Sequence, residues 1–236
     1  MENYYDYSQA QALDMRVSKV MKRVYLKMFL ALLASGLMAW FTQSYALNNP
    51  GVWQALYGSR STMWILMLVE VGVVLFMTMR LNKISSATAT VLFYVFSIIN
   101  GITLSVIFLV YSPDSIVKTF LITSATFGAM SVYGFMTNKD LTRFGSFLFM
   151  ALIGLIICSL VNLFMHSDSL GWIISGAGVL IFLGLTAWDT QKIKQMAMVA
   201  PSDSVGKLAT IGALSLYLDF INLFIYLLRF FGDSRD

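Results

Sequence analysis

The last long apolar segment of the sequence, residues 213–229, carries polar side chains that can bind protons and cations. In a helix of 3.6 residues per turn, these side chains fall within one narrow sector. They are Ser215, Asp219, Asn222, Tyr226 and Arg229. An ionised carboxylate at bilayer depth costs on the order of 3 kcal/mol or more. A carboxylate at such a position is therefore expected to have a charged partner, to have a shifted pKa or to serve a function. Asp219 is therefore the first candidate for a functional residue.

Further charged residues lie within or at the ends of other apolar segments, and their spacing suggests pairs. Glu70 and Arg80 are ten residues apart, as are Asp219 and Arg229, which corresponds to about 15 Å along a helix. If the two helices run antiparallel and side by side, Glu70 meets Arg229 on the outer side and Arg80 meets Asp219 further in. Asp189, at the inner end of another segment, approaches the second pair.

The two carboxylates of this cluster, Asp189 and Asp219, indicate chemistry that depends on protons. Two carboxylates that share a site cannot both ionise cheaply, whereas a nearby arginine favours the ionised form. The cluster then acts as a pH-sensitive lock. The alternative is that these charges form buried ion pairs that only specify helix register. We favour a functional role because ionisable residues inside a membrane generally have one.

The length and composition of the chain predict that these residues lie on membrane-spanning helices. The chain has 236 residues, of which 58% are hydrophobic and 12% charged, with a mean hydropathy of +0.75, whereas soluble domains contain about 25% charged residues. A helix needs about 17 to 25 apolar residues to cross ~30 Å of hydrocarbon. Seven runs have this length: residues 26–46, 62–79, 87–111, 116–137, 144–165, 171–189 and 208–231. We predict an all-α integral membrane protein, with a polar, basic, cytoplasmic N-terminal segment at 1–24 and one seven-helix membrane domain at 25–236.

The basic residues predict the orientation of the chain in the membrane. Cytoplasmic segments of membrane proteins carry the excess of Lys and Arg. With a cytoplasmic N-terminus, twelve basic residues fall inside and four outside, so we predict that the N-terminus is inside and, after seven spans, the C-terminus outside. The inner set is Arg16, Lys19, Lys22, Arg23, Lys27, Arg80, Lys83, Lys139, Arg143, Lys192, Lys194 and Lys207, and the outer set is Arg60, Lys118, Arg229 and Arg235.

The sequence lacks the residues that several classes of activity need. Cys158 is the single cysteine and His166 the single histidine, which excludes a disulfide within the chain and a zinc site built from Cys and His. Intramembrane aspartyl proteases have a Gly-x-Gly-Asp context around one catalytic aspartate, whereas Asp219 follows Leu216-Tyr217-Leu218 and Asp189 follows a tryptophan. We therefore do not expect an enzyme.

Three motifs in the apolar segments are long enough to compare with a known family. The last segment reads Leu214-Ser215-Leu216-Tyr217-Leu218-Asp219-Phe220-Ile221-Asn222-Leu223-Phe224 and then Leu227-Leu228-Arg229-Phe230-Phe231-Gly232. The others are Asn100-Gly101-Ile102-Thr103-Leu104 and Trp188-Asp189-Thr190-Gln191-Lys192-Ile193-Lys194. Together they closely resemble the Bax inhibitor family, also called the transmembrane Bax inhibitor motif family. The resemblance implies a seven-helix fold whose last helix is central and wrapped by the other six.

The resemblance also implies an activity and roles for individual residues. Bacterial members look like pH-sensitive calcium leak channels of the inner, or plasma, membrane, in which two aspartates sense protons and an arginine latches one of them. By motif position, the proton sensors are Asp189 and Asp219, and the latch is Arg80. Glu70 and Arg229 match an acidic and a basic position near the outer mouth.

Calcium is chemically suited to such a path, since it is a hard cation that prefers oxygen ligands. Side chains that could line the path are Asn100, Thr103, Ser215, Asn222 and Tyr226. We expect transient calcium sites at Asp189, Asp219 and Glu70, with calcium as the permeant ion and no tightly bound cofactor.

A second hypothesis is a non-enzymatic regulator that binds a membrane partner. Some bacterial relatives are associated with modulating a membrane-anchored protease, and the polar segment at 1–24 is the obvious contact. Deleting residues 2–20 should then abolish a regulator's effect and spare a leak.

Overall fold

The computed structural model describes residues 2–80, 83–201 and 204–233. Within these ranges the chain forms nine α-helices and no β-strand: α1 (Glu2–Leu47), α2 (Pro50–Leu56), α3 (Arg60–Arg80), α4 (Ser86–Leu104), α5 (Ile107–Val110), α6 (Pro113–Met136), α7 (Thr142–Met165), α8 (Asp168–Val199) and α9 (Val205–Phe231). In the same ranges, seven stretches are long and apolar enough to cross a membrane: Gln11–Leu47, Ser61–Arg80, Ser86–Val110, Pro113–Met136, Thr142–Met165, Asp168–Val199 and Val205–Phe231. The predicted all-α fold with seven spans is confirmed.

Polar residues begin some of these helices by accepting hydrogen bonds from backbone N–H groups of the first turn. The hydroxyl of Ser85 accepts from the N–H of Thr88 at 3.0 Å, at the start of α4. Oδ1 of Asp140 accepts from the N–H of Thr142 at 2.9 Å, at the start of α7. Hydrogen bonds from the side chain and the backbone of Thr142 hold the pKa of the solvent-exposed Asp140 below its usual range. These helix starts follow from the local sequence.

Two helices extend well beyond the apolar runs that predict them. Helix α1 begins at residue 2 rather than 26, and α8 continues from residue 189 to Val199. Both extensions bury apolar side chains: Val17, Val20 and Val24 in α1, and Ile193 and Ala197 in α8. One apolar face is enough to stabilise a helix against a neighbour. Hydropathy alone predicts both helices too short, because it requires a continuous apolar run.

The orientation of the chain and the central position of the last helix stay predictions. Arg235, which belongs to the predicted outer set, lies outside the described residues, and so does the side chain of Arg60.

The chain divides into two compact units, of which the first comprises Met1–Val110 with Ala200–Leu214. In this unit α4 packs against α1 and α3. Gly101 makes the first contact close, because a Cβ at this position would overlap the backbone of Ser35. The hydroxyl of Ser35 in turn donates to the carbonyl of Ser97 at 2.7 Å. Small residues on both helices therefore allow the backbones to approach.

A lysine joins three helices of the first unit. Nζ of Lys27 donates to the hydroxyls of Thr90 and Thr210 at 2.6 and 2.7 Å. Each hydroxyl donates to a carbonyl of its own helix, that of Ser86 at 2.8 Å and that of Gly206 at 3.0 Å. The threonines thus act as acceptors for the ammonium group, which links α1, α4 and α9.

The second unit comprises Tyr111–Val199 with Ser215–Ser234. Here α8 packs against both α6 and α7. A Cβ on Gly134 of α6 would overlap the backbone of Ala187, and a Cβ on Gly145 of α7 would overlap the ring of Trp188. These glycines form the surface on which the middle of α8 rests.

Candidate functional site

Helix α9 carries Asp219 into the protein interior. The side chain is 5% exposed, and its Oδ2 has no hydrogen-bond partner among the described residues. Leu216, Phe220 and Leu223, which are neighbours on the same helix, are buried as well. Leaving a buried polar atom without a hydrogen bond costs about 1–3 kcal/mol, and such atoms are rare in native proteins. This carboxyl group is therefore suited to hold a proton or an ion.

Asp189 of α8 lies close to this group. The charges of the two carboxyl groups act on each other, and Lys192 on α8 is the basic residue whose charge acts on Asp189. Asp189 is half-buried. The structure brings the two aspartates together, and their role as proton sensors stays a prediction.

The carboxyl group of Glu70, on α3, is held by two residues of α4. Oγ1 of Thr103 donates to Oε1 at 2.5 Å, and Nδ2 of Asn100 donates to Oε2 at 3.0 Å. Both donors belong to the motif Asn100-Gly101-Ile102-Thr103, one helical turn apart, so that they reach the same group. These three residues are predicted from the sequence to line an ion path, whereas their hydrogen bonds to one another are not predicted.

Replacing Thr103 with valine is expected to destabilise the protein, because Oε1 of Glu70 loses its hydroxyl donor. A hydrogen bond of this kind contributes on the order of 1 kcal/mol or more, which corresponds to a fall in Tm of about 2–4 °C for a chain of this size. Thermal unfolding of the purified protein in detergent measures the effect. Thr126→Val is the control, because that hydroxyl donates within its own helix. Equal shifts in both variants would contradict the prediction.

The basic residues of the predicted site lie at helix ends. Arg80 is the last residue of α3 and is exposed. Arg229, in the last turn of α9, lies over the ring of Tyr226, with its guanidinium carbon 5.8 Å from the ring centroid. The latch role of Arg80 and the pairing of Glu70 with Arg229 stay predictions.

Ser215 and Asn222, two predicted pore-lining residues, lie on α9. Ser215 is half-buried, and Asn222 donates from Nδ2 to the carbonyl of Leu218 at 2.8 Å, within its own helix. Pore-lining roles for Asn100, Thr103, Ser215, Asn222 and Tyr226 stay predictions.

The groups that could hold a cation are the carboxyl pair of the second unit and Glu70 of the first. In the part of the chain that the structure describes, no three His, Cys, Asp or Glu side chains cluster closely enough to bind a metal ion. Transient calcium at Asp189, Asp219 and Glu70 stays a prediction.

Several residues that shape these sites were not predicted from the sequence. Gly134 and Gly145 support α8, and Lys27 joins three helices of the first unit. The side-chain amide of Gln191 accepts a hydrogen bond from the N–H of Leu141 and donates one to the carbonyl of Lys139, in the loop between α6 and α7. Only Gln191 had a signal in the sequence, as a polar residue inside a motif that also contains a candidate site residue.

The described residues form an all-helical membrane protein with seven spans, two of which carry a pair of carboxyl groups. A family model described as inhibitor of apoptosis-promoting Bax1 matches residues 17–236. The chain therefore belongs to the Bax inhibitor family, as its motifs indicate, and is a multi-pass protein embedded in a lipid bilayer.

Three bacterial relatives match between 81% and 97% of the chain. An uncharacterised protein of Rickettsia prowazekii is 45% identical over 230 residues, covering 97% of this chain and 95% of the relative. The inner membrane protein YbhL of Escherichia coli K12 is 43% identical over 218 residues, covering 91% and 92%. An uncharacterised membrane protein of Streptococcus pyogenes serotype M6 is 38% identical over 191 residues, covering 81% and 79%.

Proposed function

We propose that this protein is a non-enzymatic calcium leak channel whose conductance is regulated by protons at Asp189 and Asp219. The observation that carries the proposal is the carboxyl pair, in which Asp219 is buried, Asp189 is half-buried and Oδ2 of Asp219 has no hydrogen-bond partner among the described residues. Burial makes the charged state of such a group depend strongly on what binds to it. Protonation of the pair and approach of a cation are therefore competing events.

The chemistry of the pair suits calcium. Carboxylate oxygens are the ligands that calcium prefers, and a proton on either carboxyl group removes the charge that attracts the ion. Two carboxyl groups offer fewer ligands than the six to eight oxygens of a high-affinity site, which favours transient binding and onward movement. In this proposal Arg80 latches the pair, Glu70 and Arg229 form the outer mouth, and the N-terminus is in the cytoplasm of a bacterium, whose inner membrane holds the protein. The name of the inner membrane relative supports this location.

Calcium flux into dye-loaded proteoliposomes, measured across about pH 6 to 8, tests the proposal. We expect a flux that protein-free vesicles lack and that changes several-fold across this range, because the carboxyl pair changes its proton occupancy. Vesicles that stay tight to calcium at every pH would contradict the leak.

A second candidate function is regulation of a membrane protein, with a membrane protease as the partner class. Helix α1 favours it, because its 46 residues extend about 69 Å and the hydrocarbon of a bilayer is only ~30 Å thick. Part of α1 therefore lies outside the hydrocarbon, where another protein can bind it.

Deleting residues 2–13 separates the two functions. This deletion leaves in place the buried stripe of α1 that begins at Val17. A regulator that acts through the N-terminal segment should lose its effect on the proteolysis of membrane substrates, whereas calcium flux should be unchanged. Unchanged proteolysis would contradict the regulator.

A further inference from the structure

Helix α1 turns one side outward and packs the other against the protein. Its exposed residues recur every three or four positions, and on a helix they fall within a sector about 80° wide. Between residues 15 and 33 this outer stripe consists of Met15, Lys19, Lys22, Leu26, Phe29 and Leu33. The buried residues lie about 180° away; these are Val17, Val20, Val24, Ala31 and Ser35. One face of α1 therefore stays uncovered along several turns.

Contacts within the first unit fix the rotation of α1. Nζ of Lys27 donates to the hydroxyls of Thr90 and Thr210 at 2.6 and 2.7 Å. About two turns further along, the hydroxyl of Ser35 donates to the carbonyl of Ser97 at 2.7 Å. A helix held at two levels cannot rotate without breaking these bonds, so the direction in which the outer stripe points is set by the fold.

The chemistry of the outward side changes within one turn. From Leu26 onward the exposed side chains of the stripe are apolar, whereas before it they are basic. Lys19, Lys22 and Arg23 are all exposed and lie within a sector of about 100°, and we call them the basic surface. Along α1 the acidic residue that precedes them is Asp14, about 7.5 Å before Lys19.

The change from apolar to basic coincides with the edge of the hydrocarbon. A bilayer has about 30 Å of hydrocarbon and a total thickness of about 40–45 Å, which leaves a polar layer of about 5–8 Å on each side. If the hydrocarbon begins at Leu26, then Arg23 and Lys22 lie about 4.5 and 6 Å outside it along the helix, and Lys19 about 10 Å. The flexible stems of lysine and arginine let their charged ends reach the phosphate level.

An anionic phospholipid presents matching groups in the same order. Its acyl chains lie against apolar side chains such as Leu26 and Phe29, and its phosphate lies at the level of the basic surface. Ammonium and guanidinium groups form charge-assisted hydrogen bonds with phosphate oxygens. Clusters of Lys and Arg next to a membrane span attract anionic lipids. Lys27 differs from these residues, because its ammonium group is bound to hydroxyls of the protein.

We propose that the basic surface of α1, formed by Lys19, Lys22 and Arg23, binds the headgroup of an anionic phospholipid whose acyl chains lie along the apolar part of the same stripe. The lipid thereby fixes the depth of α1 in the membrane. This inference is independent of calcium flux. A protein partner of α1 would have to displace the lipid from this surface.

The test replaces all three basic residues by glutamine, as Lys19→Gln with Lys22→Gln and Arg23→Gln, which removes the charges and keeps long polar side chains. Lys22→Gln alone is a second variant in case the triple variant does not fold. Lys27→Gln is the matched control, since it makes the same substitution on the same helix at a lysine that is bound within the first unit.

Native mass spectrometry of the purified full-length protein measures the Kd of the first bound lipid, with dioleoyl phosphatidylglycerol and dioleoyl phosphatidylcholine as probes that share the same acyl chains. We expect the anionic lipid to bind the unsubstituted protein at least about fivefold more tightly, and this preference to fall below about twofold in the triple variant. Lys22→Gln should lose part of the preference, and Lys27→Gln should keep it.

The position of the lipid is tested in vesicles of phosphatidylcholine that contain phosphatidylglycerol with a photoreactive group in its headgroup. We expect cross-links to peptides of residues 15–30 in the unsubstituted protein and their loss in the triple variant.

Three results would overturn the inference. Equal affinity for the two lipids would show that the protein does not select anionic headgroups. A preference that survives the triple substitution, or cross-links confined to other helices, would place the lipid elsewhere and leave the basic surface to an acidic protein partner. Equal losses in Lys22→Gln and Lys27→Gln would show that total charge, and not this surface, attracts the lipid.

Discussion

The Asp219→Asn protein is expected to conduct calcium at a rate that no longer depends on pH between about pH 6 and 8. Asparagine keeps the shape of the side chain but cannot gain or lose a proton in this range. It also removes the charge that acts on Asp189, so the two groups no longer titrate as a pair. We expect the ratio of the fluxes at the two ends of the range to fall from several-fold to about one.

Flux into dye-loaded proteoliposomes, at equal amounts of protein, measures this effect. Asp189→Asn should also change the pH profile, because it removes the other member of the pair. Asp168→Asn is the matched control, since Asp168 is exposed in the first turn of α8. Profiles that stay unchanged in both Asp219→Asn and Asp189→Asn would contradict the assignment of the proton sensors.

Gly134→Ala is expected to cause the largest loss of stability among the single substitutions considered for the second unit. The new methyl group would overlap the backbone of Ala187, and a backbone cannot move aside as the end of a side chain can. Overpacking costs about 1–3 kcal/mol and occasionally more, so we expect Tm to fall by about 10 °C. The same overlap pushes on α8 two residues before Asp189, so the pH profile of flux should change too.

Gly128→Ala on the same helix is the control for this substitution. No atom lies within 4 Å of the position that its Cβ would take, so Tm should change by no more than about 2 °C. Thermal unfolding in detergent compares the two variants. Similar losses in both would mean that helix α6 is sensitive to any added methyl group and that the contact with Ala187 is not special.

The seven spans could be predicted because the bilayer imposes a length and a composition on every helix that crosses it. The ends of α1 and α8 could not, because Val17 and Ile193 stabilise these ends through one buried face among polar residues. A hydropathy profile averages over all faces of a helix and loses this signal.

Depth in the membrane could also be estimated, since each residue of a helix adds about 1.5 Å. That arithmetic predicts the pairs Glu70 with Arg229 and Arg80 with Asp219, which stay predictions. Asp189 is expected near Asp219 from its place at the inner end of its segment, and the charges of these two carboxyl groups act on each other. Depth alone does not predict the hydrogen bonds of Glu70 to Asn100 and Thr103, because residues at the same depth are distinguished only by the faces that the helices turn to each other.

Sequence alone was sufficient for the class of protein, the number of spans, the family and the choice of Asp219 as an unusual residue, because apolar length, composition and a long motif are local properties of the chain. The tertiary structure was needed to show that Asn100 and Thr103 bind Glu70, that Lys27 joins three helices and that Gln191 hydrogen-bonds to the loop between α6 and α7. Each residue turns the next side chain by about 100° around a helix, so which side chains meet depends on how the helices pack and cannot be read from their spacing.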